Sequence, residues 1–235
     1  MILYVPNKLQ IEIPDEIKYV LPDADYMNAI FWSRSECIEK SLISWALSDL
    51  MKGGLFVDIG AHIGTWSLQF GAKHKVVAFE ANPKTFGALK RGIAVNGFDI
   101  EAHHMALGSP ELHKKDVTLK TISPDGGGSS ICPELPSYHK VLAEWTVPCR
   151  TLDSFDLDDI GLIKIDVEGA ELEVLQGAVE TLRRNNNPKF LFEAWNYDWY
   201  AQKRDELFSY INDELGYEIY PIKGYSEMWL ASFGD

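Results

Sequence analysis

Four short apolar runs, each closed by a carboxylate, limit the fold of this chain more than any other feature. Leu55-Phe56-Val57 ends at Asp58, Val76-Val77-Ala78-Phe79 at Glu80, Leu162-Ile163-Lys164-Ile165 at Asp166, and Phe190-Leu191-Phe192 at Glu193. Runs without polar alternation are strands buried on both faces, as in parallel sheets covered by helices. Segments of helical periodicity separate them. One carries Trp66 and Phe70. The next, with Asn82 as N-cap and Pro83 at its first position, carries Phe86, Leu89 and Ile93 and closes at Asn96-Gly97. The helix after Asp166 carries Leu172, Leu175, Val179 and Leu182, with Glu171 and Glu173 in its first turn and Arg183 and Arg184 in its last. Right-handed crossovers turn this alternation into a doubly wound α/β fold. A third strand is expected over about Ile100 to Leu107, and a last helix from about Trp199 to Leu215, ending at Gly216. Two final strands flank Lys223-Gly224, close enough to pair antiparallel. The expected architecture is a mostly parallel seven-stranded sheet with helices on both faces.

Two segments fall outside that rhythm. Residues 1–52 read as a small N-terminal β/α extension packed on the core. It holds an alternating strand at Leu9–Ile13 and a helix opened by a Ser33-x-x-Glu36 capping box, with Ile38, Leu42, Trp45 and Leu50 on one side and Gly53-Gly54 at its end. Residues 53–235 form the main domain, interrupted at 108–150 by an insertion. That insertion holds the β-prone Val117-Thr118-Leu119 and Trp145-Thr146-Val147, read as a hairpin, around Gly126-Gly127-Gly128-Ser129-Ser130. It is long enough to act as a lid, with its glycines as hinges.

Charge narrows the partners. With 22 Lys and Arg against 35 Asp and Glu, the 235-residue chain carries a net charge of −13. It lacks the clustered cations that bind nucleic acid or anionic membrane surfaces. No 18 apolar residues run together and the N-terminus has no signal-peptide pattern. Cys37, Cys132 and Cys149 show no metal or disulfide spacing and read as reduced thiols of a soluble, cytoplasmic protein. The partner expected is a small-molecule or glycan acceptor, with oligomeric state left open.

In an open α/β sheet the ligand lies beyond the carboxyl ends of the strands, at the switch point of the topology. Four acidic strand ends there repel a pyrophosphate and favour a ligand with hydroxyls, an amino group and a cationic centre. The turn Asp58-Ile-Gly60-Ala-His62-Ile-Gly64 has two glycines four apart and lacks the GxGxxG spacing of dinucleotide sites. Glu80, 20 residues beyond Gly60, stands where a carboxylate accepts both hydroxyls of a ribose. S-adenosylmethionine supplies ribose, amino group and sulfonium together. The plainer readings are that Asp58 caps the turn and that the glycines serve packing.

Phe56–Thr65, Val77–Pro83, Ala106-Leu-Gly108, Thr151–Phe155 and above all Ile163-Lys-Ile-Asp-Val-Glu-Gly-Ala-Glu171 together resemble the FkbM-type methyltransferases of the class I S-adenosylmethionine-dependent fold. His62 stands where that family commonly has a small polar residue, and Ala81 where it commonly has proline. The resemblance implies cofactor binding by Asp58, Gly60 and Gly64, with Glu80 on the ribose and Ala106 against the adenine. His62, Thr65, Ala81, Asn82 and Asp166 complete the expected cofactor set. It also implies methylation of oxygen, often on sugars or natural products.

Asp166 and Glu168, following the fourth strand at the crevice, are the candidate catalytic residues, one of them taking the proton of a hydroxyl acceptor. The alternatives are a helix-start role for Glu168 and a cofactor-positioning role for Asp166. Lys164 reads as a buried lysine paired with an acid or snorkelling, ahead of a catalytic lysine. His103 and His104 read as structural ahead of basic. Asp166, Glu193 and Asn196 are oxygen donors suited to Mg²⁺, yet carboxylates beside a sulfonium need no metal, so no metal site is assigned. Asp153, Asp156, Asp158 and Asp159 read as a solvated loop. The aromatic stretch Trp195–Tyr200 reads evenly as an acceptor platform or as packing. The readings that compete with O-methylation are N-methylation, a nicotinamide oxidoreductase, and a catalytically silent nucleoside-binding subunit.

Overall fold

A computed structural model of the chain describes residues 2–6, 16–22, 39–132 and 139–234. The strand read at Leu9–Ile13, the Ser33-x-x-Glu36 box, Ile38 and Cys37 therefore lie outside the described residues.

Strands β1 (Ile2–Pro6) and β2 (Glu16–Val20) pair antiparallel. Helix α1 (Lys40–Trp45) continues as a wider turn through Leu50. The main unit follows with β3 (Leu55–Ile59), α2 (Thr65–Gly71), β4 (Lys75–Glu80), α3 (Pro83–Asn96) and β5 (Ile100–His104). The expected third strand is split. Met105 bends the chain out of the sheet, and Ala106–Leu107 becomes β6 in a second sheet. The insertion supplies β7 (Lys115–Thr121), β8 (Ser129–Ser130) and β9 (Ala143–Arg150), with β7 and β9 in an antiparallel ladder as expected of a hairpin.

After β10 (Ile160–Ile165) come two helices where one was expected, α4 (Glu171–Gln176) and α5 (Val179–Arg184). Gly177 marks the break: a Cβ there would lie 2.2 Å from the carbonyl oxygen of Gly108. The close approach of the β6 strand leaves room for glycine alone, and glycine does not sustain a helix. Next come β11 (Phe190–Glu193), α6 (Ala201–Ser209), β12 (Glu218–Ile222) and β13 (Tyr225–Ser232).

The main sheet has seven strands in the order β12-β13-β11-β10-β3-β4-β5, with β13 the antiparallel member between β11 and β12. The pairs β10–β11, β10–β3, β3–β4 and β4–β5 are parallel. Alternate residues of each central strand feed opposite cores. Phe56, Val76, Ala78, Leu162 and Leu191 pack on α1, α2, α3 and the β2 residues Ile17 and Tyr19. Val57, Ile59, Val77, Phe79, Ile163, Ile165, Phe190 and Phe192 pack on α4, α5 and α6. Both sides of the central strands β3, β4, β10 and β11 are dry, which is why their runs show no polar alternation.

The N-terminal β2 is docked by specific bonds: Lys18 N donates to Asn96 Oδ1 at 3.0 Å and Asn96 Nδ2 donates back to Lys18 O at 2.7 Å. Asn82 caps α3 as expected, accepting from Lys84 N at 2.9 Å. Asp153, expected in a solvated loop, instead accepts from Thr181 N at 2.7 Å in the first turn of α5. Asp156 and Asp158 of the same loop lie against Arg184 at 3.5 and 3.2 Å. Among the described residues no helix is long and apolar enough to cross a membrane.

Candidate active site

The parallel register brings the carboxyl ends of β3, β4, β10 and β11 to one edge, where the chain leaves β3 to one side and β10 to the other. There the structure has a cavity of about 290 Å³. A larger groove of about 550 Å³ lies between α1 and β12–β13, but its walls are aromatic, aliphatic and basic and hold no carboxylate.

Of the expected cofactor residues, Gly60, His62, Thr65, Glu80, Ala81, Ala106 and Asp166 line the cavity, as does Glu168. Asp58, Gly64 and Asn82 stand behind its wall. Asp58 is wholly buried; Ser67 Oγ donates to its Oδ2 at 2.5 Å, and its Oδ1 has no partner. Burial raises its pKa, opposed by Lys164, its cross-strand neighbour on β10. Gly60 has φ +82, and a Cβ on it would sit 1.7 Å from the carbonyl oxygen of Asp166. The glycine is thus required by the meeting of two backbones at the switch point, whatever ligand lies above it.

Glu80 ties the turn after β3 to β4. Its Oε2 accepts from His62 N at 2.7 Å, and its Oε1 accepts from Asn82 N at 2.7 Å and Thr85 Oγ1 at 2.9 Å. A carboxylate has about four acceptor directions, so one remains for a ligand hydroxyl. His62, in the left-handed region at φ +54, reaches across to the carbonyl of Asp125, Nε2 to O 2.9 Å. The glycine loop of the insertion closes that side: Asn82 Nδ2 donates to Ser129 Oγ at 3.0 Å, and Gly126 and Gly127 line the cavity.

Across the cavity Lys164 is buried in β10, with its Nζ 2.8 Å from Asp166 Oδ2 and 5.8 Å from the Trp66 ring centroid. Burial alone would lower its pKa, but Asp166, Asp58 and Glu39 together hold it above the usual lysine range. The acid-paired reading of this residue is the one the structure bears out. Glu39 was not foreseen: Trp66 Nε1 donates to its Oε2 at 2.7 Å, and burial raises its pKa.

The turn after β10 holds Glu168 at φ +58, like His62 a non-glycine residue of the cavity wall in the left-handed region. Asp166, Glu168 and Glu193 each bring a carboxylate oxygen within 4.8 Å of the other two. Burial, then the surrounding carboxylates, push Glu168 and Glu193 well above the ordinary glutamate range. Beneath them Glu171 accepts from Val167 N and Gly169 N, both at 3.1 Å, and from Tyr200 OH at 3.2 Å. Burial drives its carboxyl up to about 7.

Three sequence readings are corrected or settled here. Asn196 is exposed and does not line the cavity; its Oδ1 accepts from Arg204 Nη1 at 2.6 Å, while the acids that converge at these strand ends are Asp166, Glu168 and Glu193. His103 pairs with Glu101 at 2.9 Å and stacks on Phe79, while His104 lies on Phe86 with its Nε2 3.1 Å from Ala81 O. Neither lines the cavity. In the aromatic stretch, Trp195 and Tyr200 are packed under Gly169, whereas Tyr197 is 53% exposed and stacked parallel to Trp199.

A family model described as the methyltransferase FkbM domain matches residues 58–219. The hexuronic acid methyltransferase AglP of Haloferax volcanii is 27% identical over 154 residues, covering 63% of this chain and 59% of that protein. The methyltransferase sdnD of Sordaria araneosa is 31% identical over 167 residues, covering 57% and 64%. The chain spans about three fifths of the length of the curated relatives it matches. Among solved structures, the methyltransferase FkbM of Methylobacillus flagellatus superposes with a TM-score of 0.50 at 20% identity, over 76% of this chain and 43% of the other. The SAH-bound methyltransferase PaMTH1 of Podospora anserina gives 0.51 at 12% identity, over 91% and 89%. At such identities the structural likeness carries the fold.

Proposed function

The chain belongs to the FkbM methyltransferase family, and from that premise we propose that it transfers the methyl group of S-adenosylmethionine to a hydroxyl of a sugar, glycan or other small molecule. The observation that carries this reading is the cavity at the switch point, walled on one side by the Gly60–Gly64 turn with Glu80 and on the other by Asp166 and Glu168. On this reading the ribose hydroxyls meet the remaining acceptor direction of Glu80, and Ala106 lies against the adenine. Gly60, His62, Thr65 and Ala81 line the cofactor's path. Asp58, Gly64 and Asn82 act from behind, shaping the turn and not touching the ligand.

Methyl transfer is an in-line displacement at a carbon already activated by the sulfonium. Holding the acceptor in line and dry is worth about 7–11 kcal/mol in favourable cases. The acceptor enters over Asp166 and Glu168, and one of these carboxylates receives the hydroxyl proton, a contribution of roughly 10²–10⁴-fold. The lid is the glycine loop of the insertion, which already touches the cofactor side through His62. The sugar class of acceptor is favoured by the likeness to a hexuronic acid methyltransferase and by the stacked pair of exposed Tyr197 and half-buried Trp199 in the segment that follows Glu193.

The deciding experiment is calorimetry with S-adenosylhomocysteine and with NAD, followed by a product-release assay across sugars, uronic acids, nucleotide sugars and phenols. Binding of S-adenosylhomocysteine but not NAD, with turnover on a hydroxyl acceptor, is expected. Tight NAD binding and silence with the homocysteine ligand would overturn the proposal, and turnover restricted to amines would replace O- by N-methylation.

A further inference from the structure

We infer that the carboxyl ends of β10 and β11 form a binding site for one hard divalent cation, Mg²⁺ or Mn²⁺, with Asp166, Glu168 and Glu193 as its protein ligands. The inference rests on the methyltransferase reading only for its role, not for its geometry. One oxygen from each carboxylate lies within 4.8 Å of the other two. Neighbouring ligands on an octahedral Mg²⁺ at about 2.1 Å stand about 3 Å apart, and opposite ligands about 4 Å. Small side-chain rotations therefore bring the three oxygens onto one ion.

A second observation points the same way. Glu193 lines the cavity, yet its Oε2 is sealed from solvent and has no hydrogen-bond partner. A buried carboxylate oxygen without a donor is costly, and a cation at the centre of the group satisfies it. Lys164 pairs with Asp166 of this group at 2.8 Å, and the same ammonium is drawn on by Asp58 and Glu39. Lys164 acts on Glu168 and Glu193 as well, but more weakly than the neighbouring carboxylates do, and among the described residues its close ion pair is with Asp166. Mg²⁺ keeps several coordination positions for water and substrate oxygens, so three carboxylates are a sufficient protein share. Such an ion would also reconcile an acidic wall with an oxygen-rich or anionic acceptor, and would acidify a hydroxyl bound to it, easing the passage of its proton to Asp166 or Glu168.

The test is calorimetric and paramagnetic titration of the full chain with MnCl₂, with and without saturating S-adenosylhomocysteine. One site is expected. Glu193→Gln and Glu168→Gln should each weaken Mn²⁺ binding by about tenfold or more, with melting temperature kept and S-adenosylhomocysteine affinity within about twofold. Asn196→Ala, which removes the partner of Arg204, should leave Mn²⁺ affinity unchanged. Absence of Mn²⁺ and Mg²⁺ binding in chain that binds S-adenosylhomocysteine would overturn the cation site alone. So would Mn²⁺ binding indifferent to both glutamine variants. Failure of S-adenosylhomocysteine to bind would instead strike the methyltransferase reading, while the Mn²⁺ titration of the ligand-free chain would still decide the site.

Discussion

The turn after β3 and the turn after β10 are each tied down by one carboxylate that accepts two backbone N–H groups, Glu80 from His62 and Asn82, Glu171 from Val167 and Gly169. Each also holds one non-glycine residue in the left-handed region, His62 and Glu168. Beyond that the two sides diverge. On the β4 side nearly every polar group is spoken for: Thr85 completes Glu80, Ser129 meets Asn82, and Asp125 meets His62. On the β11 side the acids crowd one another, and an oxygen of Glu193 stays buried without a partner. A satisfied network is a preformed cradle whose geometry does not wait for the ligand. An unsatisfied one is finished by what binds there, and holding it costs stability.

The sharpest way to break this comparison is at the point where the two sides touch. Gly60→Ala places a Cβ 1.7 Å from the Asp166 carbonyl at a φ of +82. A loss of about 3–5 kcal/mol is expected, read from the denaturant midpoint. A mild effect would mean that the two turns are not locked together.

The next effect is pH-dependent and belongs to the β10 side. Burial pushes the Glu171 carboxyl up from the ordinary glutamate value of 4.5 to about 7. Between those values the native state holds the extra proton, so stability falls as pH rises from about 4.5 to 7 and stays lower above it. Glu171→Gln keeps an acceptor for the two N–H groups and removes the charge. Thermal melts from pH 4.5 to 8.5 should therefore show the variant more stable above pH 7, by up to about 3 kcal/mol, and level with the wild type at the acid end. Parallel curves would refute the assignment.

Glu80→Gln should act in the opposite sense, because an amide cannot accept from three donors without turning its own N–H₂ toward one of them. Stability should fall by about 1–3 kcal/mol, and S-adenosylhomocysteine affinity should fall by about 10²-fold as the ribose contact is lost. The smallest effect is expected at Glu193→Gln, which relieves like-charge crowding. Its melting temperature should hold or rise by about 2–4 °C, with cofactor affinity nearly unchanged and turnover reduced. If this variant destabilised as Glu80→Gln does, the distinction between a finished and an unfinished side would fall.

Much of this was legible in the residues themselves. Dry strands read as unbroken apolar runs, and Asn82-Pro83 read as a helix start that the structure reproduces. Other features were hidden for stated reasons. The break at Gly177 follows from the carbonyl of Gly108, far away in the chain. Asp153 looked solvated because its donors, the first N–H groups of α5, lie at more distant positions in the chain. Glu39 left no signal, since its partner Trp66 meets it only through packing of α1 and α2.

What the sequence alone determined is which positions are strand, which are buried on both sides, and that four strands finish in acid. Those properties are local, set by side-chain periodicity and backbone propensity within a few residues. Which of the acids meet was decided by the tertiary structure alone. The parallel register of β10 with β3 and β11 brings Asp166 and Glu168 to Glu193. Register depends on crossovers and packing across the whole sheet, and Coulomb's law acts on distance in space, which position along the chain does not encode.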